Sequence, residues 1–252
     1  MLCDNFGYKI TKNFRYEFFD SISSTNDECM KRALCGDSGG LWIISSRQTA
    51  GRGCKGKTWV SDKGNLYASL LLIDSFSKNS LTLLSFASAV AVHAVISSIL
   101  STGIDVKIKW PNDILIFRRK VAGILIETKN LENDLQAVVI GIGVNIENCP
   151  QHTSYPATFL NTEGVNTSLD DILPLLFQEF AKILDIWKKD TGREEIMRLW
   201  RCCACGIGDF ITININNRLV SGRFVGVDDC GYLLLEESKG FFRQIFTGDV
   251  FE

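Results

Sequence analysis

The feature that most restricts the fold of this chain is a glycine-rich, basic segment at residues 51–58 (GRGCKGKT). Its spacing fits a P-loop, in which a helix begins at the final Lys-Thr pair and holds phosphate at its N-terminus. After Thr58 come an aromatic and β-branched pair (WV) and then turn formers (SDKGN), which predict a loop running into a strand at 66–72. The segment therefore predicts a different kind of anion-binding loop, built from backbone N–H groups and cations. Its glycines predict that the loop is mobile until a ligand orders it.

Charge and cysteine usage restrict the partners and the compartment. The formal net charge is −2, which gives no general attraction for nucleic acid or an anionic membrane, so a phosphate site must be local. Arg52, Lys55 and Lys57 form such a local cluster. The nine cysteines have no regular spacing, and no early segment has the pattern of a signal peptide. These features predict a reducing cytoplasm, with neither DNA nor a membrane as partner.

Cys202 and Cys205 have the spacing of half a zinc site or of a redox pair. A closed zinc site needs four ligands, and the two histidines of the chain, His93 and His152, lie far away in sequence without ligand-type spacing. We therefore expect thiols at a helix end and no metal site.

Residues 79–104 carry no charged side chain and are long enough to span a membrane. Serines, threonines and His93 interrupt the segment, and Val92, Val95 and Ile96 share one helical face. This pattern predicts a core helix over 80–100, with His93 on the helix surface and no catalytic role.

Capping signals predict three further helices. Thr25 and Glu28 have capping-box spacing and predict a helix over 26–34. Residues 24–26 then expose N–H groups and hydroxyls, which either cap the helix or bind a small polar ligand. The same spacing predicts helices over 168–189 and 191–201.

Apolar runs rich in β-formers predict one sheet, and the helices between them predict an α+β fold with a mixed sheet and flanking helices. Residues 118–120 join two strands closely enough for a hairpin, and residues 147–167 predict a long surface connection. The predicted strands are at 41–45, 66–73, 106–110, 114–117, 121–128 and 136–146.

The pattern changes after Gly206 to short β-like runs separated by turn residues at 216–217, 228–231 and 238–240. Four or five short strands predict a small barrel. We therefore divide the chain into a larger domain at 1–203 and a small β domain at 204–252.

Five separated blocks in one order closely resemble the biotin protein ligases. They are residues 24–26 (STN), 48–53 (QTAGRG), 109–113 (KWPND), 120–127 (KVAGILIE) and 141–146 (GIGVNI). The resemblance is dense over residues 15–147 and looser beyond, where 226–236 (GVDDCGYLLLE) is similar to the SH3-like C-terminal domain of that family. It implies a class II synthetase-like catalytic domain. Only 23 residues precede Ser24, so we expect the monofunctional type, without a DNA-binding module or repressor function.

The resemblance implies an enzyme that makes biotinyl-5′-AMP from biotin and ATP and passes biotin to a lysine of a biotin carboxyl-carrier protein. Mg²⁺ would accompany ATP and share its phosphate charge, without a fixed protein metal site. The oligomeric state is left open, a homodimer included. Matching the family motifs implies a biotin site at Ser24, Thr25, Asn26, Gln48, Gly51, Arg52, Gly53, Cys54, Lys120 and Gly123, and a nucleotide site at Arg52, Lys57, Trp59, Asn112, Lys120 and Asn145.

The same chemistry assigns catalytic roles to Lys120, Arg52 and Asp113. The acceptor lysine of the carrier protein, with an ordinary pKa of ~10.4, must lose a proton before it attacks. Asp113 is the candidate that orients this lysine or accepts its proton. Many family members have arginine at position 54, and Cys54 cannot supply a guanidinium, so we expect weaker retention of the adenylate unless Lys55 or Lys57 compensates. Trp110 is expected in the core.

Three alternatives remain at this point. A lipoate or octanoate transfer enzyme shares the catalytic fold, although residues 109–113 and the glycine-rich loop favour biotin. A P-loop nucleotide switch is disfavoured by the residues after Thr58. A non-catalytic biotin-binding module would tolerate loss of Lys120.

Overall fold

A seven-stranded mixed sheet forms the centre of the molecule. The computed structural model describes residues 14–151, 153, 155–215, 218–238 and 240–251. The strands are β1 (Arg15–Phe19), β2 (Leu41–Ser45), β3 (Leu66–Asp74), β4 (Val106–Lys109), β5 (Asp113–Ile116), β6 (Arg119–Asn130) and β7 (Gln136–Val144). Their order is β1-β2-β3-β7-β6-β5-β4, with β1 and β2 parallel and the other neighbours antiparallel. The prediction of one mixed sheet is confirmed.

Helices cover both faces of this sheet, so its central strands are buried on both sides. One face carries the first helix, which packs over Leu41 and Ile43. The opposite face carries the other three, which share a larger core with Trp42 and Ile44. The helices are α1 (Thr25–Leu34), α2 (Lys78–Ile99), α3 (Leu169–Trp187) and α4 (Gly192–Cys203).

Helix α2 is a core helix, as predicted. Its segment Ser80–Ile99 is long and apolar enough to cross a membrane, with a mean hydropathy of 1.8, but most of it is buried inside the protein. The helix-surface position predicted for His93 needs correction. Its ring is half-buried, and Nε2 donates to the carbonyl oxygen of Val106 at 3.0 Å, which ties α2 to β4. Burial lowers the pKa of His93.

Two local predictions need correction. The N-cap of α1 is Ser24, whose hydroxyl accepts from the N–H of Asp27 at 3.3 Å, one residue before the predicted cap. Thr25 begins the helix, and its hydroxyl is used in tertiary contacts. Strand β1 was not predicted, because its sequence (RYEFF) shows no clean apolar alternation and it is ordered by pairing with β2. The capping box at Ser168 and Asp171 is confirmed.

A five-stranded antiparallel sheet forms the C-terminal part, matching the predicted small β domain. Its order is β11-β10-β9-β8-β12. Helix α4 ends at Cys203 and β8 begins at Phe210, so the proposed domain boundary at 203/204 lies between these elements. The predicted turn at 216–217 lies outside the described residues. The strands are β8 (Phe210–Ile215), β9 (Arg218–Val227), β10 (Leu233–Ser238), β11 (Phe241–Ile245) and β12 (Asp249–Phe251).

The C-terminal sheet is fixed against the larger sheet by specific contacts. The buried Trp110, placed in the core as predicted, donates from Nε1 to the carbonyl oxygen of Gly231 at 3.1 Å. Gly231 has a φ of +88°, and a Cβ there would lie 2.5 Å from the ring of Phe86, so glycine is required. Arg201 adds hydrogen bonds to Val227 and Asp229. These contacts place the small domain beside the residues 109–113 block.

Candidate active site

A cavity of about 630 Å³ opens beside β6, β7 and the glycine-rich loop. It brings together side chains from all five sequence blocks, which are far apart along the chain. The residues that were predicted for the site and line the cavity are Ser24, Thr25, Asn26, Gln48, Arg52, Gly53, Cys54, Lys57, Trp59, Asn112, Asp113, Lys120, Gly123 and Asn145.

Gly51 is the exception among the predicted site residues, since it does not line the cavity. A Cβ at this position would lie 2.5 Å from Ser61 Oγ and 2.6 Å from the carbonyl oxygen of Trp59. Gly51 therefore allows the two ends of the loop to pack closely. Its role as a biotin contact stays a prediction, and the structure adds a role in loop packing.

The glycine-rich loop folds back on itself. Gly53 N–H donates to the Lys57 carbonyl at 2.7 Å, and Trp59 N–H donates to the Gly51 carbonyl at 3.0 Å. The single helical turn of this loop is Cys54–Gly56, with Lys55 at a φ of 58°. No helix begins at Lys57 or Thr58, within the continuous described segment 14–151. The P-loop interpretation is thereby excluded.

Arg52 is held by two carboxylates that the sequence analysis missed. Its guanidinium donates to both oxygens of Asp27 at 2.8 and 2.7 Å and to Glu127 at 3.0 and 3.2 Å. The hydrogen bonds to Asp27, and after them those to Glu127, raise the pKa of Arg52 above its ordinary value, against the opposing effect of burial. We call Arg52, Asp27 and Glu127 the Arg52 latch. Glu127 ends the 120–127 block and Asp27 directly follows the 24–26 block, so their positions in the sequence could have identified them as site residues.

A polar network surrounds the start of α1. Gln48 Oε1 accepts from the backbone N–H and the hydroxyl of Thr25 at 2.8 and 3.1 Å. Ser69 Oγ lies 2.7 Å from Thr25 Oγ1 and 2.6 Å from Asn26 Oδ1. Gly141 makes room for Asn26, since a Cβ there would lie 2.3 Å from Asn26 Oδ1. This end of the cavity is thus a fixed set of donors and acceptors suited to a small polar group.

Trp59 forms a flat wall over two glycines. A Cβ on Gly123 would lie 2.8 Å from Trp59 Cζ3, and one on Gly143 would lie 2.5 Å from Trp59 Cε2. Gly123 also accommodates the stem of Lys120, whose Cε would be 3.1 Å from such a Cβ. Gly123 therefore serves first to admit Trp59 and Lys120 to the cavity wall.

Asp113 lies between two lysines. Lys120 Nζ is 2.6 Å from Asp113 Oδ1, and Lys109 Nζ is 3.8 Å from Asp113 Oδ2. The structure therefore brings together Lys120 and Asp113, two of the residues predicted to be catalytic, and adds Lys109, which the sequence analysis passed over. Its position in the 109–113 block was the sequence feature that could have identified Lys109 as a site residue.

Asn112 and Asn145 are buried, with their amides fixed by protein partners. Asn112 Nδ2 donates to Ser85 Oγ at 2.8 Å and to the Ile124 carbonyl at 3.3 Å. Asn145 Nδ2 donates to the Thr158 carbonyl at 3.0 Å. A fixed amide presents its polar edge in one direction, which is what selective hydrogen bonding to a flat base requires.

The C-terminal domain completes the cavity wall with Phe246, Thr247, Gly248 and Val250. The side chain of Phe246 is 67% exposed, and its ring centroid lies 4.2 Å from that of Tyr232. The small domain therefore does more than pack against the large one.

The charge of the cavity favours an anion. Its described lining contains the cations Arg52, Lys55, Lys57, Lys109 and Lys120 and one carboxylate, Asp113, which Lys120 and Lys109 share. Arg52 is compensated by Asp27 and Glu127, and with these two acids counted the cations still outnumber the carboxylates. Among the described residues, no group of three or more His, Cys, Asp or Glu side chains is placed to hold a metal ion. None of the eight cysteines in the described segments, Cys202 and Cys205 included, forms a disulfide. His152, considered above as a zinc ligand, is not among the described residues.

Comparisons with known proteins agree on one family. Residues 18–145 match the Biotin/lipoate A/B protein ligase family, and residues 206–251 match the Biotin protein ligase C terminal domain. The chain is 33% identical over 231 residues to the biotin–[acetyl-CoA-carboxylase] ligase of Paracoccus denitrificans, covering 88% of this chain and 93% of that protein. It is 32% identical to the bifunctional ligase/repressor BirA of Bacillus subtilis, covering 92% of this chain and 72% of that one.

The fold has a close counterpart among solved structures. The biotin protein ligase of Aquifex aeolicus in complex with biotin and ATP superposes with a TM-score of 0.79 at 26% identity, covering 95% of this chain and 98% of that one. The biotin protein ligase of Leishmania major in complex with biotin superposes with a TM-score of 0.66 at 25% identity, covering 94% and 99% of the two chains.

Proposed function

The chain belongs to the biotin/lipoate A/B protein ligase family as a biotin protein ligase, and from that membership we propose how it acts and on what. It activates biotin with ATP as biotinyl-5′-AMP and transfers biotin to a lysine of the biotin carboxyl-carrier protein of acetyl-CoA carboxylase or a related carboxylase. The observation that carries this proposal is the convergence of all five blocks on one cationic cavity with a polar end. That arrangement suits a substrate with a small polar head and a carboxylate.

We assign the two ends of the cavity to the two substrates. The network of Thr25, Asn26 and Gln48 binds the biotin head group, with Ser24 capping the helix behind it. Lys120 faces the biotin carboxylate and the α-phosphate of ATP. The wall of Trp59 over Gly123 and Gly143 borders the nucleotide, and the remaining nucleotide contacts are Lys57, Asn112 and Asn145.

In the first step a biotin carboxylate oxygen attacks the α-phosphorus of ATP. The bond from that phosphorus to the bridging oxygen breaks, and diphosphate leaves with the electron pair. The protein must bring two anions together and neutralise the growing negative charge, a task that we assign to Lys120 and Arg52. Mg²⁺ would arrive with ATP, because the described lining offers only the paired carboxylate of Asp113 as a ligand. Bound with ATP, it would share the phosphate charge.

In the second step the acceptor lysine attacks the carbonyl carbon of biotinyl-AMP. Its ammonium gives one proton to Asp113, and the neutral amine forms the new C–N bond. The C–O bond to AMP breaks, AMP takes the electron pair, and the remaining ammonium proton passes to water. The Lys120 ammonium, 2.6 Å from Asp113 Oδ1, supports this assignment, because the acceptor ammonium would take the same position.

The substrate is tested by incubating purified protein with ATP and Mg²⁺, separately with biotin, lipoate and octanoate, and by detecting acyl-AMP by mass spectrometry. We expect an adenylate with biotin alone. A lipoyl or octanoyl adenylate would move the chain to the lipoate branch of the family. Lys120→Ala separates enzyme from binding module, since full activity in that variant would contradict catalysis by this residue.

The remaining assignments stay predictions of the sequence. They are a cytoplasmic location and the absence of nucleic-acid and membrane partners.

A further inference from the structure

Lys109 is a buried cation that the mechanism above does not use. Its side chain is only 10% exposed, although an ammonium is costly to remove from water without compensating contacts. Two contacts contribute to that compensation. Its Nζ lies 3.5 Å from the centroid of the Tyr155 ring and 3.8 Å from Asp113 Oδ2. Lys109 is therefore fixed between an aromatic face and the carboxylate of Asp113.

Tyr155 is attached to the strand that carries Lys120. The Lys120 N–H donates to the Pro156 carbonyl at 2.8 Å, and the Thr158 N–H donates to the Lys120 carbonyl at 2.9 Å. The residue before this paired segment is Tyr155, whose ring lies against the ammonium of Lys109. The long connection at 147–167 thus reaches the reacting groups through one aromatic side chain.

The two lysines beside Asp113 differ in their freedom to leave it. Lys120 is 26% exposed, and the proposed adenylation step turns it toward the carboxylate and phosphate of the substrates. Lys109 is more deeply buried and is retained by the face of Tyr155, to which a desolvated ammonium is attracted. When Lys120 turns away, Lys109 still holds Asp113 Oδ2.

We propose that Lys109 and Tyr155 are a positioning pair for biotin transfer, which keeps the Asp113 carboxylate aimed at the acceptor lysine after Lys120 has moved to the adenylate. The inference rests on the proposed function. Lys109 directs Oδ2 away from the acceptor and leaves Oδ1 to receive its proton. Tyr155 acts through Lys109 and does not touch the reacting atoms.

The test measures the two half-reactions separately in matched variants of each residue. Tyr155→Phe keeps the aromatic face, and Tyr155→Leu keeps much of the volume but removes that face. Lys109→Arg keeps a cation, and Lys109→Met removes it at similar length. Adenylation is followed by diphosphate release, and transfer is followed by mixing preformed biotinyl-AMP complex with a purified carrier domain.

Tyr155→Leu is expected to slow transfer about tenfold, the size expected for losing a cation–π contact away from water. Lys109→Met should slow transfer at least as much, with adenylation affected much less in both. Tyr155→Phe and Lys109→Arg should recover most of the transfer rate. Equal losses in both half-reactions, or equal losses in Tyr155→Phe and Tyr155→Leu, would overturn the proposal.

Two controls keep the outcome decisive. Thermal melting identifies a variant that fails to fold. If Lys109→Met fails to fold, the comparison of Tyr155→Phe with Tyr155→Leu decides alone. Both are expected to fold, because Tyr155 is half-buried in a surface connection. Wild-type protein reports on the proposed function independently. If it forms no biotinyl-AMP, the proposed function fails, whereas normal wild-type activity with no split in the variants rejects the positioning pair alone.

Discussion

Substitution Glu127→Gln should loosen the glycine-rich loop by weakening the Arg52 latch. Glu127 accepts from Arg52 at 3.0 and 3.2 Å and from Asn26 Nδ2 at 2.7 Å, so both of its oxygens act as acceptors. Glutamine keeps one acceptor oxygen and turns an N–H₂ group toward other donors. The variant loses the charge on this side of Arg52, while the two hydrogen bonds to Asp27 remain.

The free energy that the Arg52–Glu127 ion pair contributes to the closed loop depends on how exposed the two side chains are. The side chains of Arg52 and Glu127 are 37% and 33% exposed, so solvent screens the ion pair. Pairs of this kind contribute about 0.5–1 kcal/mol. The open population of the loop should therefore rise roughly two- to fivefold, because 1.36 kcal/mol corresponds to a factor of ten.

Limited trypsin digestion measures this opening, because Arg52, Lys55 and Lys57 are all cleavage sites within the loop. Cleavage tracks the open population when opening is fast relative to cutting. The matched control is Glu132→Gln, which makes the same charge change at an exposed position between β6 and β7. Equal cleavage at the loop in both variants would refute the latch. Biotin should protect the loop, as the sequence predicts.

Four further outcomes are expected. Asp113→Asn should slow transfer more than adenylate formation, and equal losses would reject its role. Gly143→Ala places a Cβ 2.5 Å from Trp59, and overpacking that costs about 1–3 kcal/mol should weaken ATP binding at least fivefold, measured by calorimetry. Cys54→Arg should slow the release of biotinyl-AMP, because a guanidinium can clamp the phosphate, and unchanged release would count against this role. His93 has a lowered pKa, so folding stability should fall as pH drops below about 6.5. His93→Gln should flatten that pH dependence in urea titrations and cost about 1 kcal/mol at neutral pH, whereas an unchanged slope would contradict it.

The five sequence blocks predicted the cavity well because each combines residue types with a definite chemical use. Lys120 and Asp113 lie seven positions apart, on adjacent antiparallel strands, and meet as an ion pair. The contacts that hold these groups were beyond sequence reasoning. Glu127 is 75 positions from Arg52 in the sequence. Tyr155, whose ring contacts Lys109, lies in the 147–167 connection, which shows no hydrophobic periodicity. Nothing in local periodicity specifies such pairs.

The errors in secondary structure have the same origin. His93 lies on the less apolar face of α2, yet β4 offers it a carbonyl partner, so tertiary contact overrides the helical pattern. Strand β1 is defined by pairing with β2, which its own sequence does not indicate. Strands β2, β3 and β7, in contrast, are apolar runs buried on both faces and were predicted almost to the residue.

The most direct test of the central claim is the intact mass of a biotin carboxyl-carrier domain after incubation with this protein, biotin, ATP and Mg²⁺. A matched carrier with its acceptor lysine changed to arginine serves as the control. We predict the addition of one biotin to the lysine-containing carrier and none to the control. Adenylate formation without any mass gain on the carrier, or a gain with lipoate in place of biotin, would contradict the account.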